Sequence, residues 1–218
     1  MRISDVTKAG WTILRDGEFT SLGLCGASAG CPILTFAGGE KFLKTALLNP
    51  DVHALMIPES LAESELLRGT DRGVVVVPDL RRDFFELHNR LVLEREAEYL
   101  RSGFAARISP SAHVSPLAEI GARNIEIGEN VEIQYNCNVS RSLFPWDETR
   151  IGAQTKIESL THVAHGVSIG ERTLIAAGAV IGGSARIGAD VWIGPNATVS
   201  SEVRVGDGAR ISLGAVVA

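Results

Sequence analysis

The sequence predicts a β-solenoid: a left-handed parallel β-helix of hexapeptide repeats, preceded by a small α/β domain. Three observations predict it. From Ile151 onward an Ile or Val falls at every sixth position without a slip, from Ile151, Ile157 and Val163 through to Ile211 and Val217. Two positions ahead of each stands a small or β-branched residue, such as Thr149, Thr155, Thr161, Val167 and Ala179. The first hundred or so residues lack this period and show short apolar runs bounded by Gly or Pro. A period of six matches neither 3.6 nor simple alternation, so the stretch is a repeat array. Each hexad makes one short strand and one corner, with the aliphatic residue inward and the following glycines (Gly152, Gly170, Gly182) permitting the corner backbone. Three hexads close a coil of eighteen residues, and coils stack at about 4.8 Å. The hexapeptide form is the left-handed exception to the usual right-handed crossover.

Residues 1–105 read as the α/β domain. Strands are expected at Pro32–Phe36, Ala54–Pro58 and Gly73–Pro78, and helices at Glu40–Leu48 and Glu59–Leu67. Leu80, Phe84, Leu87 and Leu91 recur at helical spacing behind Asp79, so a further helix is expected from Leu80 to about Arg101, ended by Gly103. Residues 106–218 form the solenoid. Its hexads start at Ile108, Val114 and Ile120, slip by one residue, and resume at Ile127, Ile133 and Val139. The interval to the next aliphatic position is then twelve, and Pro145 occupies the inward slot. A protruding loop over residues 140–150, carrying the exposed aromatics Phe144 and Trp146, accounts for this.

Composition excludes several classes. The net charge of −5 argues against nucleic acid and against a basic membrane-docking surface. The chain is 45% apolar without a run long enough to span a bilayer, and its N-terminus is not a signal peptide. Three cysteines (Cys25, Cys31, Cys137) without a CxxC fit a reducing, cytoplasmic location.

With the loop removed, register arithmetic stacks His165 over the position of Arg141, and adding eighteen leads to Gly183. One corner therefore carries the loop, a His and a Gly on successive coils, a convergence that a rigid scaffold uses to make a site. An imidazole suits proton acceptance from an amine attacking a thioester, and Gly183 lets its N–H approach an oxyanion. An exposed corner histidine and a plain corner glycine are the alternatives. Arg186 and Arg204, eighteen residues apart and hence on adjacent coils, could meet donor phosphates or be merely solvated.

The run from Thr149 to Gly170, containing Ile157-Glu158 and Val163-Ala164-His165-Gly166, resembles the catalytic segment of the UDP-3-O-(3-hydroxyacyl)glucosamine N-acyltransferases of the lipid A pathway. That family lies in the hexapeptide acyltransferase superfamily, whose members are homotrimers with sites between neighbouring β-helices. The resemblance extends from about Ser4 to Ala218. It implies that His165 is the general base, that Glu158 is the acidic residue supporting it, and that Gly183 makes the oxyanion contact. Leu34–Lys44 is similar to the family's uridine-binding segment, which implies that Phe36 and Phe42 sandwich a uracil; the alternative places both in the domain core. Gly39 stands where the family has an Asn, and Glu202 where it has a second His near the phosphate. A carboxylate beside a diphosphate is repulsive, so the substrate is placed differently or Glu202 meets a cationic amine.

The implied activity is acyl transfer from a thioester to the amine of a nucleotide-linked amino sugar, for surface polysaccharide or lipopolysaccharide synthesis. No tightly bound cofactor or metal is expected. The co-substrate is acyl-CoA or acyl carrier protein. The chain stops at Val217-Ala218 without the family's helical carrier-docking tail, an expectation favouring coenzyme A. Two other readings stay open. A non-catalytic sugar-nucleotide-binding or scaffolding protein would explain Gly39 and Glu202. A metal enzyme of the γ-carbonic anhydrase kind needs three convergent His, whereas His162, His165 and His113 do not fall at one place.

Overall fold

The computed structural model describes residues 1–94 and 103–218, and the chain divides into two compact units, residues 1–99 and 100–218. In the first unit the elements are α1 (Ile3–Val6), β1 (Thr12–Arg15), β2 (Ser21–Leu22), β3 (Ile33–Phe36), α2 (Glu40–Leu48), β4 (Val52–Ile57), β5 (Gly73–Val76) and α3 (Leu80–Glu94). The sheet order is β1-β5-β4-β3-β2, with β2 to β5 parallel and β1 antiparallel on the edge. Strand β5 is buried throughout and β4 at all but one position, as expected for parallel strands covered on both faces. Helix α2 contributes Leu43 and Ala46 to that core, and α3 contributes Phe84 and Leu87. The Asp79 carboxylate accepts from the Arg82 N–H at 3.1 Å, capping α3 where Asp79 was expected to start it.

Three expectations need correction. Glu59–Leu67 is not one helix but two 3₁₀ turns, Glu59–Leu61 and Glu65–Leu67. The buried residues Leu61 and Leu67 are six apart, which gives no helical stripe, and Ser64 starts the second turn by accepting from the Leu66 N–H. Elements α1, β1 and β2 had no sequence signal; β1 is exposed at all four positions and so shows no alternation. The glycines after the aliphatic residues serve coil stacking rather than corner conformation. The expected stretch of α3 from residue 95 to Arg101 lies outside the described residues.

The second unit is a three-sided prism of parallel six-stranded sheets. The first face holds Ile125–Ile127, Thr149–Ile151, Ser168–Ile169 and Arg186–Ile187; the second holds Lys156–Ile157, Leu174–Ile175 and Trp192–Ile193; the third holds Asn138–Val139, His162–Val163, Val180–Ile181 and Thr198–Val199. Strands pair with those one coil away, as in Lys156 with Leu174 and Leu174 with Trp192. The expected one-residue slip sits between Ile120 and Ile127, where Asn124, buried and at φ 52°, takes up the extra residue. The inward positions form one continuous Ile/Val/Ala column. The buried threonines fit it because their hydroxyls donate to carbonyls on the next coil: Thr155 to Gly170 and Thr173 to Gly188, both at 2.9 Å.

The glycine after each aliphatic residue is not there for its φ. The left-handed residue of each corner comes two positions later, at Gln154, Leu160, Gly166, Arg172, Gly178, Ser184 and onward. Gly152, Gly170 and Gly182 are required by coil stacking instead: a Cβ on Gly170 would come within 2.5 Å of the Ala189 N, and one on Gly182 within 2.5 Å of the Ser201 N.

Candidate active site

The corner between the third and first faces is built by register. Val139 pairs with Val163, Val163 with Ile181 and Ile181 with Val199. The residues two positions on, Arg141, His165, Gly183 and Ser201, therefore form one column, as the sequence arithmetic anticipates. The structure brings His165 and Gly183 together. A Cβ built on Gly183 would lie 2.5 Å from His165 Nε2 and 3.1 Å from Nδ1, so the imidazole fills the space that a side chain at Gly183 would take. His165 is half-buried rather than the exposed corner side chain expected. Burial pushes its pKa below the usual histidine value, the Asp147 carboxylate pulls it up, and the neighbouring His162 lowers it. The ring is therefore neutral near pH 7 and able to accept a proton.

Gly183 also presents an open amide. At two other corners a carboxylate on an adjacent coil takes the equivalent N–H: Glu158 Oε2 accepts from Ala177 at 3.1 Å, and Asp207 Oδ1 from Ala189 at 2.8 Å, whereas among the described residues the N–H groups of Ala153, Ser159 and Glu171 at this position have no acceptor within the chain. The residues that would supply such a cap at Gly183 are Ala164 and Ser201, both too short or uncharged. Among the described residues the Gly183 N–H donates to no acceptor. What distinguishes Gly183 from those corners is the His165 ring beside it, which places a free donor and an imidazole at one point.

The structure does not bring Glu158 to His165. Glu158 sits at the other end of the third face, at the corner before His162–Val163, where its carboxylate caps Ala177. The carboxylate acting on His165 is Asp147, which the sequence reading missed. It lies in the one segment that the hexad period cannot phase, so no register predicted its neighbours.

That segment is not the projecting aromatic loop expected. Phe144 is only 4% exposed and stacks on Trp146 at 5.3 Å with 3° between the rings. The fold-back is held by hydrogen bonds: Asn124 Nδ2 donates to the carbonyls of Pro145 (3.2 Å) and Asp147 (3.0 Å), and Thr149 Oγ1 donates to Ser140 O at 2.8 Å. Burying Phe144 gains apolar area that a protruding loop would leave in water. Trp146 remains half-buried.

Arg186 pairs in register with Arg204 on the first face, and the Arg186 guanidinium donates to Gly166 O at 2.7 Å, which holds it beside His165. Glu202 lies on this same corner, its N–H donating to Gly183 O at 2.9 Å. In the first unit, Phe36 ends β3 half-buried, its ring 4.7 Å from that of Phe84, while Phe42 in the first turn of α2 is 51% exposed. Phe36 thus belongs partly to the core and Phe42 does not. Gly39 is the N-cap of α2 and offers no side chain to its first-turn amides. Among the described residues no cluster of three or more His, Cys, Asp or Glu could hold a metal ion, and no helix is long and apolar enough to cross a membrane.

The family model for bacterial transferase hexapeptide (six repeats) matches residues 148–183 and 184–218. A UDP-3-O-acylglucosamine N-acyltransferase of Maricaulis maris is 45% identical over 51 residues, 23% of this chain and 14% of that protein. The enzyme of the same name from Caulobacter vibrioides is 36% identical over 87 residues, 40% of this chain and 24% of its own length. The chain thus spans less than a quarter of the length of the curated relatives it matches. Among solved structures, the acetyltransferase domain of PglB from Neisseria gonorrhoeae is 19% identical with a TM-score of 0.38, covering 85% of this chain and 90% of that one.

Proposed function

Starting from a chain whose residues 148–218 are bacterial transferase hexapeptide repeats, we infer that it is an N-acyltransferase, moving an acyl group from a thioester to the amine of a nucleotide-linked amino sugar. The observation that carries this reading is the His165 imidazole lying on Gly183, with the Gly183 N–H unpaired beside it. A neutral base and an open amide donor at one point are the two groups that amide formation from a thioester needs. The amine nitrogen attacks the carbonyl carbon while His165 takes its proton. The carbonyl oxygen becomes an oxyanion on the Gly183 N–H. The C–S bond then breaks, and the leaving thiolate takes the proton from the imidazolium. The local likeness to the two UDP-3-O-acylglucosamine N-acyltransferases supports the sugar amine as acceptor.

The remaining roles follow from position. In this reading Arg186 and Arg204 meet donor phosphates, Trp146 lines the pocket at the loop, and Glu202 meets a cationic amine. The donor is acyl-CoA or acyl carrier protein. Phe36 and Phe42 hold the nucleotide base, and the uncapped first turn of α2 behind Gly39 suits its phosphates. Glu158 serves as a corner cap.

The chain works as a homotrimer. Leu117, Tyr135, Leu160 and Leu213, exposed by 59–74%, line the corner between the second and third faces, and the third face beside it presents Val180 and Val216 among Glu119, Asn138, His162 and Thr198. The first face by contrast presents Arg107, Glu126, Arg150, Arg186 and Arg204. Exposed large apolar side chains gathered at one corner are a surface for a second copy, and the third face runs from that corner to His165. Light scattering tests this, with a stable micromolar monomer counting against it.

The activity is tested by thiol release from acetyl- and longer acyl-CoA, and from acyl carrier protein, with UDP-, dTDP- and GDP-linked amino sugars. One acceptor class should support turnover that His165→Ala abolishes. Binding of such sugars without any thioester consumption would favour the scaffolding reading.

A further inference from the structure

The non-periodic loop before Thr149 delivers a second ionisable group to the site. Its anchor is Thr149, fully buried, which donates to Ser140 O and accepts from the Gly166 N–H at 2.9 Å. The loop is thereby tied at its root to the residue after His165. Ser142, 2% exposed, donates through Oγ to Asp147 Oδ2 at 2.7 Å, and Asn124 holds the Asp147 carbonyl. The carboxylate so held lies on Gly166: a Cβ built there would collide with Asp147 Oδ2 and come within 3.3 Å of Ser184 Oγ. Gly166 also sits at φ 65°, so glycine is required on two counts.

We propose that Asp147 is the positioning carboxylate of this site: held by Ser142 and Asn124 over Gly166, it stabilises the imidazolium that forms when His165 takes the amine proton. The inference rests on the reading of His165 as general base. No direct Asp147–His165 hydrogen bond is involved; the carboxylate acts through space in a half-buried corner, where an opposite charge is weakly screened. It offsets the desolvation that burial imposes on the charged ring. The other charged or titratable groups around the ring are His162 on the preceding strand, Arg141 on the coil before, and Arg186 and Glu202 on the coils after. Asp147 is the anion whose attraction raises the His165 pKa.

The test uses the full chain with ¹³C/¹⁵N-labelled histidine. In Asp147→Asn the His165 titration midpoint should fall measurably, because the anion that raises it is gone. The acid limb of kcat/KM should move with it, and kcat should drop about tenfold or more with KM little changed. Glu148→Gln, which removes the next charge in the loop, should leave both in place. Should Asp147→Asn fail to fold, Ser142→Ala, which removes only the hydroxyl holding the carboxylate, serves instead, with a smaller fall of the His165 midpoint expected. A midpoint unmoved by Asp147→Asn, or by Ser142→Ala where only that variant folds, overturns the proposal. The histidine resonances need no turnover: coupling without acyl transfer to any sugar rejects the activity alone, and turnover without coupling rejects the role of Asp147 alone.

Discussion

Replacing Gly183 by alanine separates catalytic geometry from stability. The new Cβ would lie 2.5 Å from His165 Nε2, whereas non-bonded heavy atoms settle at about 3.5 Å or more. The imidazole therefore has to move by about 1 Å. A displacement of about 1 Å at a reacting group costs on the order of 10²-fold in rate, or about 2.7 kcal/mol at 1.36 kcal/mol per decade. The backbone is indifferent, because Gly183 is not in the left-handed region. Alanine there also reduces the freedom of the unfolded chain, which is worth about 0.4–1 kcal/mol where the native conformation accepts it. That gain offsets part of the cost of moving one half-buried ring. The expected result is a kcat down about 10²-fold, with an unfolding midpoint close to wild type. Stopped thiol-release assays under saturating acceptor measure the first, and chemical denaturation the second. An alanine variant keeping more than about a third of the wild-type rate would mean that the imidazole position seen here is not the working one.

Acid should act through His165 in a definite sense. Burial lowers its folded pKa below the unfolded value, so between the two the unfolded chain binds more protons. Its contribution to stability therefore weakens as pH falls below about 6.5 and is steady above; kcat/KM should be flat near pH 7 and fall below the folded pKa. A rate that increases on acidification through this range would assign His165 the opposite role. Thr149→Val removes a buried hydroxyl that both donates to Ser140 O and accepts from Gly166 N. Two backbone groups lose their partner, so unfolding free energy should fall by about 1–3 kcal/mol, read by urea titration; no loss would show that the loop is not pinned at its root. Phe144→Ala and Trp146→Ser should divide. The first, at a 4%-exposed site, should destabilise by about 3 kcal/mol or more, whereas the second should chiefly raise KM in an assembled protein; the reverse outcome would place Phe144 in the pocket.

The prism and the His165–Gly183 contact were legible in the sequence because a solenoid turns register into arithmetic. Each hexad makes the same strand and corner, so adding eighteen to a residue number is enough to find its neighbour on the next coil, and twenty-four across the loop. The α/β character of the first unit was legible for a related reason, since β3, β4 and β5 are short apolar runs closed by Gly or Pro. What failed was whatever lacked a period. Strand β1 is an exposed edge whose partner, β5, is distant in the chain, with Thr12 opposite Val76. The turns of 59–67 follow from where Leu61 and Leu67 find burial. Glu158 was given its role by resemblance, yet the fold sets it one corner away, on the Ala177 amide. Asp147, the buried Phe144 and the uncapped Gly183 N–H were decided by tertiary structure alone. They depend on where one irregular loop closes, and that is set by Asn124, Ser142 and Thr149 through hydrogen bonds whose partners no repeat encodes.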